Sequence, residues 1–534
     1  MLQIIKNIRT WYTAKNRWWI PLLTGFSYAL CLPPFNHTLH FGFALFPLLS
    51  GIILLPLFGF ASQMTGRRWA VHCYLYGVTA SLSQFYWFAN VVAEGLWHLI
   101  LMGLAAAALF MGLFYLLAGF LFRFLQNRFP DAILLFFPAT WVCLEYLRSV
   151  GEIAFPWALL GYAWTPVLPI AQAASVAGVF GFSFVVVLVN VVVWKWLQHL
   201  SAMRRSPYLM RLTATLVMII AFECIWGWLR MSFATQPDKD VTVSLVQSDV
   251  NQNQWGNKSL DTSFAIAETL VYQAAQAQPD VIILPESALL CYLLRRPKLT
   301  HRVYTWMDSV KAPLILGALH WDRSPKDSPY NYLVYNAALM LKPQSRFFDK
   351  YYKIKLVPFS EAMPFEGILP ILSRVNLGEA DFQRGNEHTI FSFPPHAKGA
   401  PLICYEIIFP GYVRKRIRAG ANLLVNITND GWFGRSTAPY QHAVMAQMRC
   451  IENGTSLVRC ANSGISMMVD QFGRVLGKTD LYERTILTGR VSARRIRTLY
   501  NRIGDWPAWV SLILVLYAFT AGIVRSSASS SRSK

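Results

Sequence analysis

The most constraining feature of this sequence is a series of apolar runs upstream of residue 230, with one more near residue 510. A run of about 18 or more such residues is long enough to cross the hydrocarbon core of a bilayer as a helix. Runs at 18–35, 39–62, 69–92, 96–121, 132–146, 170–194, 212–228 and 506–524 predict eight spans. The fifth is short and contains Pro138, which predicts an interrupted helix. Of the 534 residues, 54% are hydrophobic and only 14% charged, a balance too apolar for an ordinary soluble protein. No cleavable signal peptide is expected, because the first run is followed by further spans and lacks a small-residue cleavage site.

Lys and Arg in short loops are retained on the cytoplasmic side. Lys6, Arg9, Lys15 and Arg17 precede the first run, Arg67 and Arg68 follow the second, and Arg123 and Arg128 follow the fourth. Lys195, Arg204, Arg205 and Arg211 follow the sixth, and Arg525, Arg532 and Lys534 follow the eighth, whereas the alternate loops before the seventh run hold only Arg148. This alternation predicts both termini inside and the stretch between the seventh and eighth spans outside. Arg494, Arg495, Arg497 and Arg502 lie on the nominal outside, which a long translocated domain tolerates. They read either as a solvated linker or as a contact for anionic headgroups. The net charge of +21 resides largely in the retention loops, so nucleic acid is not expected as a partner.

Three segments follow: a seven-span membrane region over 1–231, a folded domain over 232–500, and the eighth span with its tail over 501–534. Short apolar strands recur in the middle segment, at 241–246, 281–284, 314–318, 337–341, 402–404, 423–427, 457–459 and 466–469. Helical stretches such as 260–276 and 441–453 lie between them, so an α/β layered domain is expected, with its site at strand ends. Three strand-end positions carry candidate chemistry. Glu286 ends Ile283-Leu284-Pro285-Glu286, Lys353 opens Lys353-Ile354-Lys355-Leu356-Val357-Pro358-Phe359-Ser360-Glu361, and Cys404 stands in Leu402-Ile403-Cys404-Tyr405-Glu406. Singly, each has an ordinary explanation: a helix-start carboxylate, a surface charge rivalled by Lys350 and Lys355, and an inert buried thiol. His442 reads as a structural residue on a helix, and no second ligand points to a metal. The eight cysteines show neither metal spacing nor a disulfide framework, although an oxidising compartment permits pairing among Cys291, Cys404, Cys450 and Cys460.

Together and in this order, Glu286, Lys353 and Cys404 resemble the triad of the nitrilase (carbon-nitrogen hydrolase) superfamily in its PE, K…VPF.E and CYE contexts. The run Asn426-Ile427-Thr428-Asn429-Asp430-Gly431-Trp432-Phe433-Gly434, followed by Gln441-His442 and Met448-Arg449, is similar to one branch of it, the apolipoprotein N-acyltransferases. Trp255 after Val246-Gln247, Asn462-Ser463-Gly464-Ile465, and Glu145, Arg148, Phe155-Pro156-Trp157 and Gly161-Tyr162 extend the likeness over nearly the whole chain. The resemblance implies an eight-span helical membrane region carrying a nitrilase-like αββα sandwich between spans seven and eight, the frame that the loop charges predict independently.

The resemblance further implies Cys404 as nucleophile, Glu286 as general base, and Lys353 with the Tyr405 backbone N–H as oxyanion stabilisers. Glu361, Tyr405 and Glu406 support them. A thiol suits acyl transfer because its thiolate is strongly nucleophilic and its thioester stays reactive toward an amine. The implied reaction takes the sn-1 acyl chain of a phospholipid, typically phosphatidylethanolamine, onto Cys404, then passes it to the α-amino group of a diacylglyceryl-cysteine at an apolipoprotein N-terminus. It implies a cell inner membrane protein with a periplasmic catalytic domain, and needs no cofactor or metal. Trp255, Trp432, Phe433 and Met363-Pro364-Phe365 are candidates for lining an apolar substrate cleft, with ordinary core packing as their alternative role. Two other functions stay open on sequence: a membrane-tethered amidase or nitrile hydrolase in which water resolves the acyl-enzyme, and a non-catalytic transporter or scaffold.

Overall fold

The computed structural model describes residues 18–35, 45–91, 97–201, 206–233, 240–251, 257–289, 291–324, 331–366 and 382–531. Trp255, the basic residues before the first apolar run, and Arg204 and Arg205 lie outside them. Helical segments fall on all eight apolar runs. Trp97–Arg128, Ala174–Leu200 and Pro207–Ser232 are long and apolar enough to cross a membrane, while Trp19–Cys31, Ile133–Leu147 and Trp506–Gly522 are shorter apolar helices. The run at 39–62 divides between Leu45–Leu49 and Leu55–Gln63. Along Pro207–Ser232, Met210, Val217, Met218, Ile219, Phe222 and Ile225 point outward from the protein. An apolar face of that extent is stable against lipid, not against water.

Two helices depart from expectation. Ile133–Leu147 continues straight through Pro138. The proline removes one backbone hydrogen bond, and burial of Phe136, Phe137 and Trp141 outweighs that loss. The break falls instead in the sixth run, where Gly178 adopts φ 63°, ψ −176°, a conformation open to a residue without Cβ. Beyond the break, the amide of Val179 donates to Glu452 Oε1 of the middle segment at 2.9 Å. A carboxylate there also meets the positive end of the restarted helix.

The middle segment folds as two six-stranded sheets. The first has the order β12-β1-β2-β3-β4-β5, comprising Thr485–Ser492, Asp240–Gln247, Val281–Ile283, Leu314–Arg323, Tyr332–Leu341 and Phe348–Tyr352. The second has the order β11-β10-β9-β8-β7-β6, comprising Val475–Lys478, Met467–Val469, Ser456–Ala461, Leu423–Thr428, Ala397–Ile403 and Phe391–Phe393. In each, a parallel trio (β1-β2-β3, β7-β8-β9) forms the centre and antiparallel strands flank it. Period-two alternation turns Leu245, Ile283, Ile403, Val425 and Val458 into a core between the sheets. Opposite faces bind helices. Asn257–Ala275 and Pro297–Val310 cover the first sheet, and Pro410–Arg418 and Ala438–Asn453 cover the second, completing an α-β-β-α stack.

The layer over the second sheet merges with the membrane helices: Leu402, Leu424, Met448 and Ile451 belong to one buried cluster with Trp157, Tyr162, Val179 and Phe180. Within it, Arg449 donates to Tyr162 Oη (3.2 Å) and to Glu452 Oε1 (3.0 Å). Burial pushes the Glu452 carboxyl up to about 7, against the pull of Arg449. A carboxyl raised by folding takes up a proton on folding. Its contribution to stability is therefore complete below the ordinary carboxylate range and lost as pH rises through about 7. Glu452→Gln is expected to flatten the fall in thermal midpoint between about pH 5 and about pH 8, read by thermal denaturation in detergent.

Candidate active site

β2, β4, β5, β7 and β8 converge on one buried polar pocket. Leu284 continues β2 by donating to Ile315 O (2.8 Å), and the chain then turns so that Glu286 faces inward, with Ser287 left-handed at φ 53°. Gly317 on β3 makes this turn possible. A Cβ there would lie 2.6 Å from Glu286 Cα and 2.8 Å from Ser287 N. Gly317→Ala is accordingly expected to cost about 1–3 kcal/mol in stability and to slow the reaction by displacing Glu286. Thermal denaturation and single-turnover kinetics measure the two effects.

Glu286 is buried, accepting from Asn336 Nδ2 through Oε1 (2.8 Å) and from the Asn429 amide through Oε2 (3.0 Å). Asn336 Nδ2 also donates to Glu361 Oε1 (3.0 Å), tying the two carboxylates together. Lys353, only 1% exposed, donates to Glu361 Oε1 at 2.8 Å and lies 3.5 Å from Glu286 Oε1. The three competing lysines are thus separated. Lys350 is exposed and binds Asp322 and Tyr352 Oη, and Lys355 sits over the Phe409 ring. Burial alone would lower the Lys353 pKa, but the carboxylates of Glu361 and then Glu286 outweigh it and hold the ammonium above the usual lysine range. Burial raises the Glu286 carboxyl, opposed by Lys353.

Cys404 follows β7 and opens the Cys404–Ile408 3-10 turn with a left-handed backbone, φ 48°. For a residue bearing a Cβ this is strained, and the surroundings enforce it. Glu406 does so from below. Its carboxylate accepts from Tyr351 Oη (2.6 Å), the amides of Ile354 (2.7 Å) and Lys355 (3.1 Å), and the amide of Ile403 (2.8 Å). One side chain therefore fixes the Cys404 turn against the loop that carries Lys353. From the other side His442 Nε2 donates to Cys404 O (3.2 Å). Burial, then Arg459, lower the His442 pKa, opposed by Asp430, whose Oδ1 lies 3.0 Å from His442 Nδ1. Arg459 also donates to Asp430 Oδ2 (2.7 Å), and although burial would raise Asp430, Arg459 and His442 hold it at about 2. Burial and then the Glu286 charge push the Cys404 thiol up, opposed by Lys353. It rests as a thiol and needs a base to react.

The other candidates occupy the border with the membrane region. Tyr405 donates to Ala154 O (2.5 Å), and its ring lies 6.5 Å from Phe155, so its side chain fastens the domain to a membrane-region loop. Phe433 meets Trp87 edge-on at 4.9 Å and Trp157 at 6.1 Å, making an aromatic border between domain and helices. Trp432 beside it is half-buried, and Phe365 is exposed. All eight cysteines are free thiols, and no group of metal-ligating side chains occurs among the described residues. Asn336 was not among the residues singled out by sequence. A polar residue beginning the apolar strand run Ala337-Ala338-Leu339-Met340-Leu341 was its available signal, since a buried amide must be satisfied.

Comparison with known proteins accounts for both halves. Residues 242–501 match the carbon-nitrogen hydrolase family, and residues 24–192 match the apolipoprotein N-acyltransferase N-terminal domain. An apolipoprotein N-acyltransferase of Geobacter metallireducens is 33% identical over 438 residues, covering 81% of this chain and 83% of the relative. The protein of the same name from Rickettsia prowazekii is 28% identical over 489 residues, covering 88% and 95%. One from Chlorobaculum tepidum is 30% identical over 410 residues, covering 71% and 75%. With a helical bundle, an α-β-β-α domain and relatives that match across both, this chain belongs to the apolipoprotein N-acyltransferase family.

Proposed function

We propose that this enzyme N-acylates lipoproteins in two steps through a thioester at Cys404. Glu286 takes the Cys404 proton as sulfur attacks the sn-1 ester carbonyl of a phospholipid, phosphatidylethanolamine being the expected donor. Lys353 and the Tyr405 amide bear the negative charge of the tetrahedral intermediate. The C–O bond breaks, the departing lysophospholipid oxygen takes the proton back from Glu286, and the acyl chain stays on sulfur. In the second step the α-amino group of a diacylglyceryl-cysteine attacks the thioester, Glu286 receives the amine proton, and Cys404 leaves as the thiolate that Glu286 reprotonates. Glu361 and Glu406 act as positioning residues, Tyr405 joins domain to membrane, and Trp255, Trp432 and Phe433 contact the acyl chains.

The observation that carries this reading is the buried cluster of Lys353 between Glu286 and Glu361, beside a cysteine held in left-handed backbone. A lysine so paired remains charged throughout, as an oxyanion partner must, while a raised carboxyl is a stronger base toward a thiol. Both lipid substrates bring their reacting groups to the bilayer surface, and the continuous core places the catalytic helices against the bundle. In the topology we propose, the bundle crosses a cell inner membrane eight times, residues 1–231 supply seven spans, 232–500 form the periplasmic domain, and 501–534 end in the cytoplasm.

Intact-protein mass spectrometry tests the first step. Purified enzyme incubated with phosphatidylethanolamine alone is expected to gain one hydroxylamine-sensitive acyl group, which a diacylglyceryl-cysteine peptide then discharges as N-acylated product. An adduct that water discharges as fast as the peptide does would instead identify a hydrolase. Absence of any adduct on folded protein would sink the thioester.

A further inference from the structure

We propose that His442 is a positioning residue for the oxyanion site: by holding Cys404 O it aims the Tyr405 N–H at the forming oxyanion, and Asp430 and Trp157 of the membrane region hold the imidazole for that task. The proposal rests on the thioester reading above and adds the means by which its backbone donor is aimed.

Cys404 O and the Tyr405 N–H belong to one peptide unit. That unit is planar, with its carbonyl and N–H pointing in opposite directions, so a hydrogen bond that fixes the oxygen also fixes the direction of the donor. Cys404 makes such a hold necessary, because its φ of 48° is strained. Rotation about its ψ toward a more relaxed backbone would swing the carbonyl and the N–H together. His442 Nε2, donating to Cys404 O at 3.2 Å, opposes that rotation. A donor on the carbonyl also polarises the peptide and strengthens its N–H as a donor in turn.

The imidazole is itself held on several sides. It is buried, with Nδ1 facing Asp430 Oδ1 at 3.0 Å. Arg459 meets that nitrogen at 3.1 Å and donates to Asp430 Oδ2 at 2.7 Å, and Thr428 Oγ1 donates to Asp430 Oδ1 at 3.2 Å. The Trp157 ring lies 5.4 Å from the imidazole, and its Nε1 donates to Gln441, the preceding residue of the same helix, at 2.6 Å. Tyr405 donates through its hydroxyl to Ala154 O at 2.5 Å. The peptide that carries the donor is therefore gripped at its carbonyl by a histidine resting on Trp157, and through the next side chain by Ala154 of the same loop. Docking of the domain on the bundle and aiming of the donor go together. His442 transfers no proton in the reaction; its part ends at the carbonyl.

The substitutions His442→Gln and His442→Met test this as a pair, since the two side chains are alike in length and flexibility and only the Gln amide can donate to Cys404 O. Full-length enzyme in detergent is assayed for single-turnover acylation of Cys404 by phosphatidylethanolamine and, separately, for reaction of Cys404 with methyl methanethiosulfonate, located by peptide mass spectrometry. In the second reaction the thiolate forms an S–S bond and methanesulfinate leaves, so no oxyanion is built. His442→Met is expected to acylate about 10–100-fold more slowly than wild type, part of what a whole oxyanion donor contributes. His442→Gln should return to within about fivefold of wild type, and both should react with methyl methanethiosulfonate at the wild-type rate. Equal acylation by the two variants would overturn the proposal. So would a parallel fall of both reactions in His442→Met, which would make the histidine a general support of the pocket. Where His442→Met does not fold, Trp157→Leu, which frees the ring from the bundle side, carries the same comparison of the two reactions. Wild type that reacts with methyl methanethiosulfonate yet gains no acyl group from any phospholipid would sink the thioester reading instead.

Discussion

Lys353→Met should destabilise the enzyme by about 3–5 kcal/mol and slow acylation of Cys404 by about 10²–10³-fold. The stability loss follows from what the lysine leaves behind. Glu286 and Glu361 both face Lys353 Nζ and share one Asn336 amide, and without the ammonium they are two carboxylates buried together. One must then take a proton to relieve the repulsion. The variant's folded state binds a proton that its unfolded state releases, so it should recover stability as pH falls toward the ordinary carboxylate range, a trend weaker in wild type. Thermal denaturation across pH separates this from the chemical defect. The chemical defect arises because Lys353 is the cation whose charge acts on Cys404, and single-turnover acylation at the pH of greatest stability measures it. A variant as stable as wild type at neutral pH would contradict the buried cluster.

Cys404→Ser should reduce turnover on the order of 10⁴-fold or more and leave no hydroxylamine-labile acyl group on the protein. The thiol is already pushed up by burial and by Glu286, so even cysteine ionises only as Glu286 takes its proton in the step itself. A hydroxyl is a far weaker acid, and the same base cannot supply the difference. An oxyester, if formed, would also be a poorer acyl donor to an amine than a thioester. The substitution keeps size and backbone, and the left-handed conformation is held by Glu406 and His442, so the thermal midpoint should stay close to that of wild type. Retention of turnover would exclude Cys404 as nucleophile.

The strands legible in the sequence were those buried on both faces. β2 reads Val-Ile-Ile and β8 Leu-Leu-Val-Asn-Ile-Thr, apolar runs that need no partner to be recognised. β5, β6, β11 and β12 were not among the expected strands, and each is an edge of its sheet. Phe-Asp-Lys-Tyr-Tyr in β5 and Val-Leu-Gly-Lys in β11 are largely open to solvent and carry charged residues, as edges that resist further pairing do, so neither shows an apolar run. Glu286, Lys353 and Cys404 could be proposed as one group because their order and contexts were specific together, and the structure brings the three side chains to one pocket. Asn336, Arg459 and the grip of His442 on Cys404 O were not legible, since they depend on β4, β9 and a helix meeting β7 across long separations. Pro138 misled for a related reason. Its penalty is local, whereas the burial that outweighs it comes from neighbouring helices.

The seal between Glu452 and Val179 bears on the order in which the molecule is made. Residue 179 is synthesised long before residue 452, so the newborn sixth run carries a glycine break and an amide whose acceptor does not yet exist. The bundle's contact at Val179 is therefore complete only when the helix Ala438–Asn453 has docked. A chain halted after the seventh run should reach the membrane yet remain incompletely assembled, and hence open to quality-control proteases at the Gly178 break. Supplying the missing domain as a second polypeptide should protect it.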